Sequence, residues 1–170
     1  MVELVLMRHA KSSWEEPGLD DHDRPLTPRG LRAAPRMGTW LAAEGILPDV
    51  CLCSSARRTR QTWELAVRAL GSDVETRVER ALYLATDDAI LGLLANLPET
   101  TGTAIVVGHN PGLHLLARRL ARHGGADDRK RLDDKMPTGA CAHFRFDVAW
   151  VDLARTDGEL LAYVRPKDLE

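Results

Sequence analysis

Short apolar runs alternate with amphipathic stretches along the chain, and this alternation predicts strands and helices in turn. Residues 2–7 are apolar and β-prone and read as a first strand. Residues 15–25, rich in Asp, Gly and Pro, read as a loop too charged for a core. Thr27-Pro28-Arg29-Gly30 opens a helix, with Thr27 as N-cap and Pro28 at the first helical position. Its apolar positions, Leu31, Ala34, Met37, Leu41 and Ala42, repeat at helical spacing to Glu44, where Gly45 is a stop; Pro35 is placed to kink it. A second strand over 49–53 leads into a helix over 56–70 that stops at Gly71, and 74–78 reads as a short strand. Residues 87–97 form an amphipathic helix with Ile90, Leu93 and Leu94 on one face. The β-branched run 103–107 is a central strand, followed by a helix over 113–121. Residues 122–135, dense in charge and glycine, read as an exposed loop. Strands at 140–148 and 160–164 complete the pattern, with Thr156-Asp157-Gly158 as a turn.

Strands alternating with helices predict a three-layer α/β/α sandwich around a mainly parallel sheet. No internal repeat, low-complexity tract or linker divides the chain, so residues 1–170 are expected to form a single domain. In such a sheet ligands bind beyond the carboxyl ends of the strands. Three of those ends carry chemistry. The first delivers Arg8 and His9, followed by Lys11, Ser12 and Ser13. The second leads into Ser54-Ser55-Ala56-Arg57-Arg58-Thr59-Arg60-Gln61-Thr62, and the third ends in Gly108-His109-Asn110-Pro111-Gly112. Arginine forks match phosphoryl oxygens, and helix amino termini add N–H donors and a favourable dipole. Singly, each piece has a structural reading: a polar strand end, a solvated helix face, a turn histidine. Three together on one edge point to an anion site.

Composition narrows the partners. The chain has 170 residues, a formal net charge of -2, 44% hydrophobic and 28% charged residues. That balance gives no global pull towards nucleic acid or a membrane surface, so an anion site must be local. No apolar run is long enough for a membrane span and no signal-peptide pattern opens the chain. Cys51, Cys53 and Cys141 are the cysteines. An odd count, with Cys51 and Cys53 on one face of a strand, reads as buried core thiols, a metal pair being the alternative, and suggests a cytoplasmic protein.

These blocks resemble the histidine phosphatase (phosphoglycerate mutase-like) superfamily, and within it the small SixA-type phosphohistidine phosphatases. Arg8-His9-Ala10 is similar to the family's Arg-His-Gly signature, with Ala for Gly. Arg24-Pro25-Leu26-Thr27-Pro28-Arg29-Gly30 resembles the Arg-Pro-Leu-Thr-x-x-Gly segment of SixA-type members. Ser54 to Thr62 fits Ser-Pro-x-x-Arg-Ala-x-Gln-Thr, which puts the functional arginine at Arg58 and replaces the usual Pro by Ser55. Gly108-His109-Asn110-Pro111 matches the block of the second histidine, and Met136-Pro137-Thr138-Gly139-Ala140 a late segment of small members.

The resemblance implies that His9 attacks phosphorus and forms a phosphohistidine enzyme that water hydrolyses. His9 must then be neutral, its second ring nitrogen held by an acceptor such as a backbone carbonyl. Arg8, Arg58 and His109 would clamp the phosphoryl oxygens, with Ser12, Lys11 and the Asn110 backbone N–H as secondary substrate contacts. No metal or other cofactor is required. Two departures matter. Glu15 lies where larger members place a phosphate-contacting Asn. The general-acid position falls on Glu79 under one alignment and on Leu84 under another; the second is preferred and leaves no acid. A missing acid suits a phosphoramidate, whose nitrogen leaving group arrives protonated. Asp87 and Asp88 read as helix-start residues.

The short chain lacks length for helices that roof the pocket, so an open site acting on a phosphorylated protein is expected, with 122–135 as a rim or as an idle connection. A phosphohistidine phosphatase is thus the first reading. The others are a phosphatase of a small phosphomonoester and a catalytically weak phosphate-binding module. The oligomeric state is left open.

Overall fold

Strand β1 (Val2–Arg8) lies inside a seven-stranded sheet and is buried on both faces, as its unbroken apolar run requires. The computed structural model describes all of residues 1–170. The other strands are β2 (Val50–Ser54), β3 (Glu75–Glu79), β4 (Thr103–Gly108), β5 (Ala121–Gly124), β6 (Cys141–Phe146) and β7 (Gly158–Val164), in the spatial order β3-β2-β4-β1-β6-β7-β5. β1, β2, β3 and β4 run parallel, β6 is antiparallel to β1 and β7, and β5 runs parallel to β7.

Side chains alternate along each strand and so build two separate cores. Val5 and Met7 of β1, Cys51 and Cys53 of β2, and Ile105 and Val107 of β4 pack beneath α1 (Pro28–Ala43) and α2 (Arg57–Leu70), against Met37, Leu41, Trp63 and Ala66. Leu4, Leu6, Leu52, Ala104 and Val106 face the other way, onto α3 (Asp87–Ala95), α4 (Gly112–Leu120) and the 3-10 segment Trp150–Arg155. The expected three-layer sandwich with a mainly parallel sheet is therefore observed. Cys51, Cys53 and Cys141 are free buried thiols, and burial holds the Cys141 thiol well above its ordinary value.

The helix signals act as read. Thr27 accepts a hydrogen bond from Gly30 N–H at 3.1 Å and caps α1; Gly71 ends α2 at φ 75°. Pro35 lies inside an unbroken α1. Leu31 and Ala42, assigned to the apolar stripe, are exposed; Ala33 and Gly38 are buried instead. Gly38 is where α1 and α2 touch: a Cβ there would lie 2.0 Å from the Ala66 carbonyl oxygen. Gly38→Ala should therefore destabilise the protein by about 2–3 kcal/mol through overpacking, read as a lower urea midpoint. An unchanged midpoint would contradict this contact.

Residues 122–135 are not a loop. They hold the end of β5 and the helix α5 (Ala126–Asp134). Only Leu132 of α5 is buried, so no apolar period announces the helix; acidic Asp127 and Asp128 in its first turn and the Asp128–Arg131 ion pair at 3.1 Å support it. β5 is an exposed edge strand with no alternation to read.

Candidate active site

Parallel pairing brings the strand ends to one edge. Arg8 is in register with Gly108 across β1 and β4, and Cys53 with Val107 across β2 and β4. His9, Ser54 and His109 thus converge, although they are far apart in sequence. The antiparallel β6 begins at the same edge, where Gly139, at φ 80°, donates its N–H to the carbonyls of Arg8 (3.1 Å) and His9 (2.9 Å).

His9 and His109 lie with ring centroids 5.4 Å apart. His9 Nδ1 is 2.7 Å from the Ala10 carbonyl oxygen. Since a carbonyl only accepts, Nδ1 carries the proton, and the free lone pair is on Nε2, which has no protein partner. Ala10, the departure from Arg-His-Gly, tucks its methyl into a small cluster with Leu26 and Ala34. Arg58 is 2% exposed. Its Nη2 lies 3.3 Å from His109 Nδ1, so the guanidinium donates to that nitrogen, and His109 Nε2–H donates to Ser54 Oγ at 2.7 Å. Arg8 Nη1 and Asn110 Nδ2 both donate to the Met136 carbonyl, at 3.1 and 2.9 Å.

Burial, with the charges of Arg58 and Arg8 added, pushes His9 down to about 4, against the pull of its Ala10 hydrogen bond. Burial and Arg58 push His109 down to about 3. Both rings are neutral at pH 7. An unfolded chain takes up these protons near 6.5, so stability should fall as pH drops from about 6.5 towards 4. Nitrogen-15 titration of histidine-labelled protein should place both midpoints, as a coupled pair, below about pH 5. Midpoints near the ordinary histidine value would contradict this burial.

Residues 15–25, read from the sequence as a polar loop too charged for a core, supply much of the site's surroundings. The 3-10 turn Asp21–Asp23 lays Asp21 against Arg58, whose Nη1 donates to the Asp21 carbonyl (2.7 Å) and Nη2 to its carboxylate (3.0 Å). Tyr83 O–H and Arg24 Nε also donate to that carboxylate. Burial would raise the carboxyl, but these hydrogen bonds outweigh it and hold Asp21 at about 2. Tyr83 stands edge-on to His109 at 5.5 Å, and His22 Nε2 lies 2.8 Å from Ser55 Oγ, the residue in place of the usual Pro. The site's histidines are buried: His9 is 7% and His109 3% exposed. Asp21 and Tyr83 escaped the sequence reading, because loops carry no period that says where they fold back; Ser54, at the end of β2, was visible there only as the start of its motif.

Arg8, His9, Arg58 and His109 are brought together as expected. Ser12 is one step away: its Oγ accepts from Arg24 at 2.8 Å. Lys11 is exposed and lines a neighbouring cavity. Asn110 is at the edge, but through its side chain. Glu79 is in register with Ser54 on β3, without a side-chain partner; Leu84 is exposed. Across the whole chain, the buried side-chain polar atoms lacking a partner are Arg8 Nε, Arg58 Nε and Asn110 Oδ1. All three lie at this edge.

Comparison with known proteins decides the family. Residues 4–82 match the model of the histidine phosphatase superfamily (branch 1). An uncharacterised protein of Mycobacterium tuberculosis is 36% identical over 163 residues, covering 95% of this chain and all of the relative. The chain belongs to the histidine phosphatase superfamily. A SixA-type structure from Nakamurella multipartitia superposes with a TM-score of 0.82 at 36% identity, covering 97% of this chain and 96% of that one. One from Agrobacterium tumefaciens gives 0.82 at 26%, covering 97% and 98%. The superfamily member described here is a SixA-type phosphatase with the phosphoglycerate mutase-like fold. None of its helices is long and apolar enough to cross a membrane.

Proposed function

We propose that this phosphatase hydrolyses phosphohistidine on a protein through a covalent phospho-His9 intermediate. One observation carries the reading: two buried guanidinium N–H groups, Arg8 Nε and Arg58 Nε, lack acceptors beside a histidine whose Nε2 lone pair is free. Unpaired buried donors are costly, and an oxyanion would satisfy them.

In the first step His9 Nε2 attacks phosphorus while the bond from phosphorus to the substrate's ring nitrogen breaks. A substrate imidazole protonated on its other nitrogen leaves neutral, so no side-chain acid is consumed. Arg8 and Arg58 stabilise charge on the phosphoryl oxygens by fixed hydrogen bonds. His109, held by Ser54, is the third wall of the cradle. In the second step water attacks the phospho-His9 phosphorus, the P–N bond breaks, and the water proton passes to phosphate or solvent as Nε2 recovers its lone pair. The Ala10 carbonyl keeps His9 in one tautomer throughout.

Asp21 and Tyr83 bear on leaving-group choice. Neither is an efficient general acid near neutrality: Asp21 is already ionised, and Tyr83, though protonated, is made a weaker acid by burial and the Asp21 carboxylate. This favours the phosphoramidate over an alkyl phosphate. The unpartnered Glu79 beside Ser54 is the observation in favour of the second reading, a small phosphomonoester substrate.

Rapid quench with a labelled phosphohistidine peptide should trap acid-labile phosphate on the wild type, and that peptide should be turned over far faster than sugar phosphates. A wide preference for sugar phosphates, together with loss of activity in Glu79→Gln, would overturn the proposal in favour of the monoester. SixA relatives and their names support the class of substrate.

A further inference from the structure

A second basic site lies beside the recess. A cavity of about 100 Å³ opens between the turn after β1, the start of α1 and the C-terminal 3-10 segment Pro166–Leu169. Lys11, Arg29, Arg165 and Lys167 line it with Thr138, and no acidic residue does. Arg165 is neutralised by Asp168, which accepts from its Nε at 3.0 Å and Nη2 at 2.8 Å and also receives Arg131. Lys11, Arg29 and Lys167 are exposed and form no ion pair. These cations come from three distant parts of a chain whose net charge is -2, so the surplus is local. It also has a cost. Like charges repel, and Arg29 occupies the first turn of α1, where the helix dipole favours an acidic side chain.

The cavity is tied to the phosphoryl recess by the backbone. Lys11 follows His9 by two residues, and Thr138 precedes Gly139, whose N–H holds the Arg8 and His9 carbonyls. At about 100 Å³ it is smaller than the 300–1,000 Å³ typical of pockets for whole small ligands, and fits one carboxylate. His9 is only 7% exposed, so a substrate protein must insert its phosphohistidine while flanking residues rest on the rim. The cationic cavity is joined to that edge of the sheet through Lys11 and Thr138.

Building on the phosphohistidine reading, we propose that Lys11, Arg29 and Lys167 form a docking pocket for an acidic side chain close to the phosphohistidine of the protein substrate. The site then selects substrates by local charge as well as by the phosphoryl group, and attraction between opposite charges raises encounter rates in a salt-dependent way.

The test uses two synthetic phosphohistidine peptides, identical except that flanking Glu residues in one are Gln in the other, with N-phosphoimidazole as a reference substrate. Wild-type kcat/KM should favour the acidic peptide by about tenfold at low salt, and the preference should shrink at about 0.5 M salt. In Arg29→Gln/Lys167→Gln the preference should fall to about twofold or less, with N-phosphoimidazole turnover unchanged. Equal wild-type rates on the two peptides, or a preference surviving in the double variant, would overturn the docking pocket while leaving the catalytic reading intact. A double variant that equally weakens inhibition by inorganic phosphate would reassign the cavity to a free anion and also overturn it. If wild type hydrolyses N-phosphoimidazole but neither peptide, the protein-phosphohistidine reading itself fails.

Discussion

His9→Ala should abolish turnover, with kcat on phosphohistidine peptide lowered on the order of 10⁴-fold or more, as for loss of a nucleophile elsewhere. The ring donates its Nδ1 proton to the Ala10 carbonyl and presents Nε2 unpartnered, so no neighbour can replace it. His109 has no spare lone pair: its Nδ1 accepts from Arg58 and its Nε2–H is spent on Ser54. Arg8 and Arg58 remain in the variant, so inorganic phosphate should still bind with a similar dissociation constant, read by calorimetry. Rapid quench should detect no acid-labile phosphoenzyme. A variant that retained turnover or the trapped phosphate would exclude His9 as the nucleophile.

Arg58→Ala should lower kcat/KM by about 10²–10³-fold, the loss expected for one preorganised donor to a charged transition state. Arg58 is almost fully buried and joins two parts of the site, His109 on one side and Asp21 on the other. Its removal strips a donor from the oxyanion cradle and leaves the Asp21 carboxylate with only Tyr83 and Arg24. The electrostatic signs follow. Arg58 lowers both His9 and His109, so both rings should titrate higher in Arg58→Ala. Asp21, which Arg58 lowers, should also rise. Arg58→Lys keeps the charge and loses the planar fork, so it should restore the histidine midpoints better than the rate. If Arg58→Ala left kcat/KM within a few-fold of wild type, the cradle assignment would fail. Asp21→Asn separates the two roles of the contact: the peptide carbonyl still receives Nη1, while one negative charge leaves an anion site, so phosphate inhibition should tighten.

Local signals worked where the chemistry is short-range. The Thr27 cap, the Gly71 stop and the apolar run before Arg8 each depend on neighbours within a few residues, and they were legible. Helix α5 was not, because its single buried residue, Leu132, makes no period. Spacing alone places Leu31 inward, whereas the contact surface of α1 follows the small residues Ala33, Ala34 and Gly38 that let α2 approach.

The sequence by itself determined the α/β alternation, from periodicity, and the family, from strand-end motifs that also bring forward Arg8, His9, Arg58 and His109 as the candidate site residues. Only the tertiary structure decided that Asp21 and Tyr83 enclose Arg58 and His109, that Ser54 orients His109, and that Lys11 faces Arg29 and Lys167 rather than the recess. Those contacts join residues up to 156 positions apart. They depend on how the sheet is ordered and where loops return, and no local pattern encodes that.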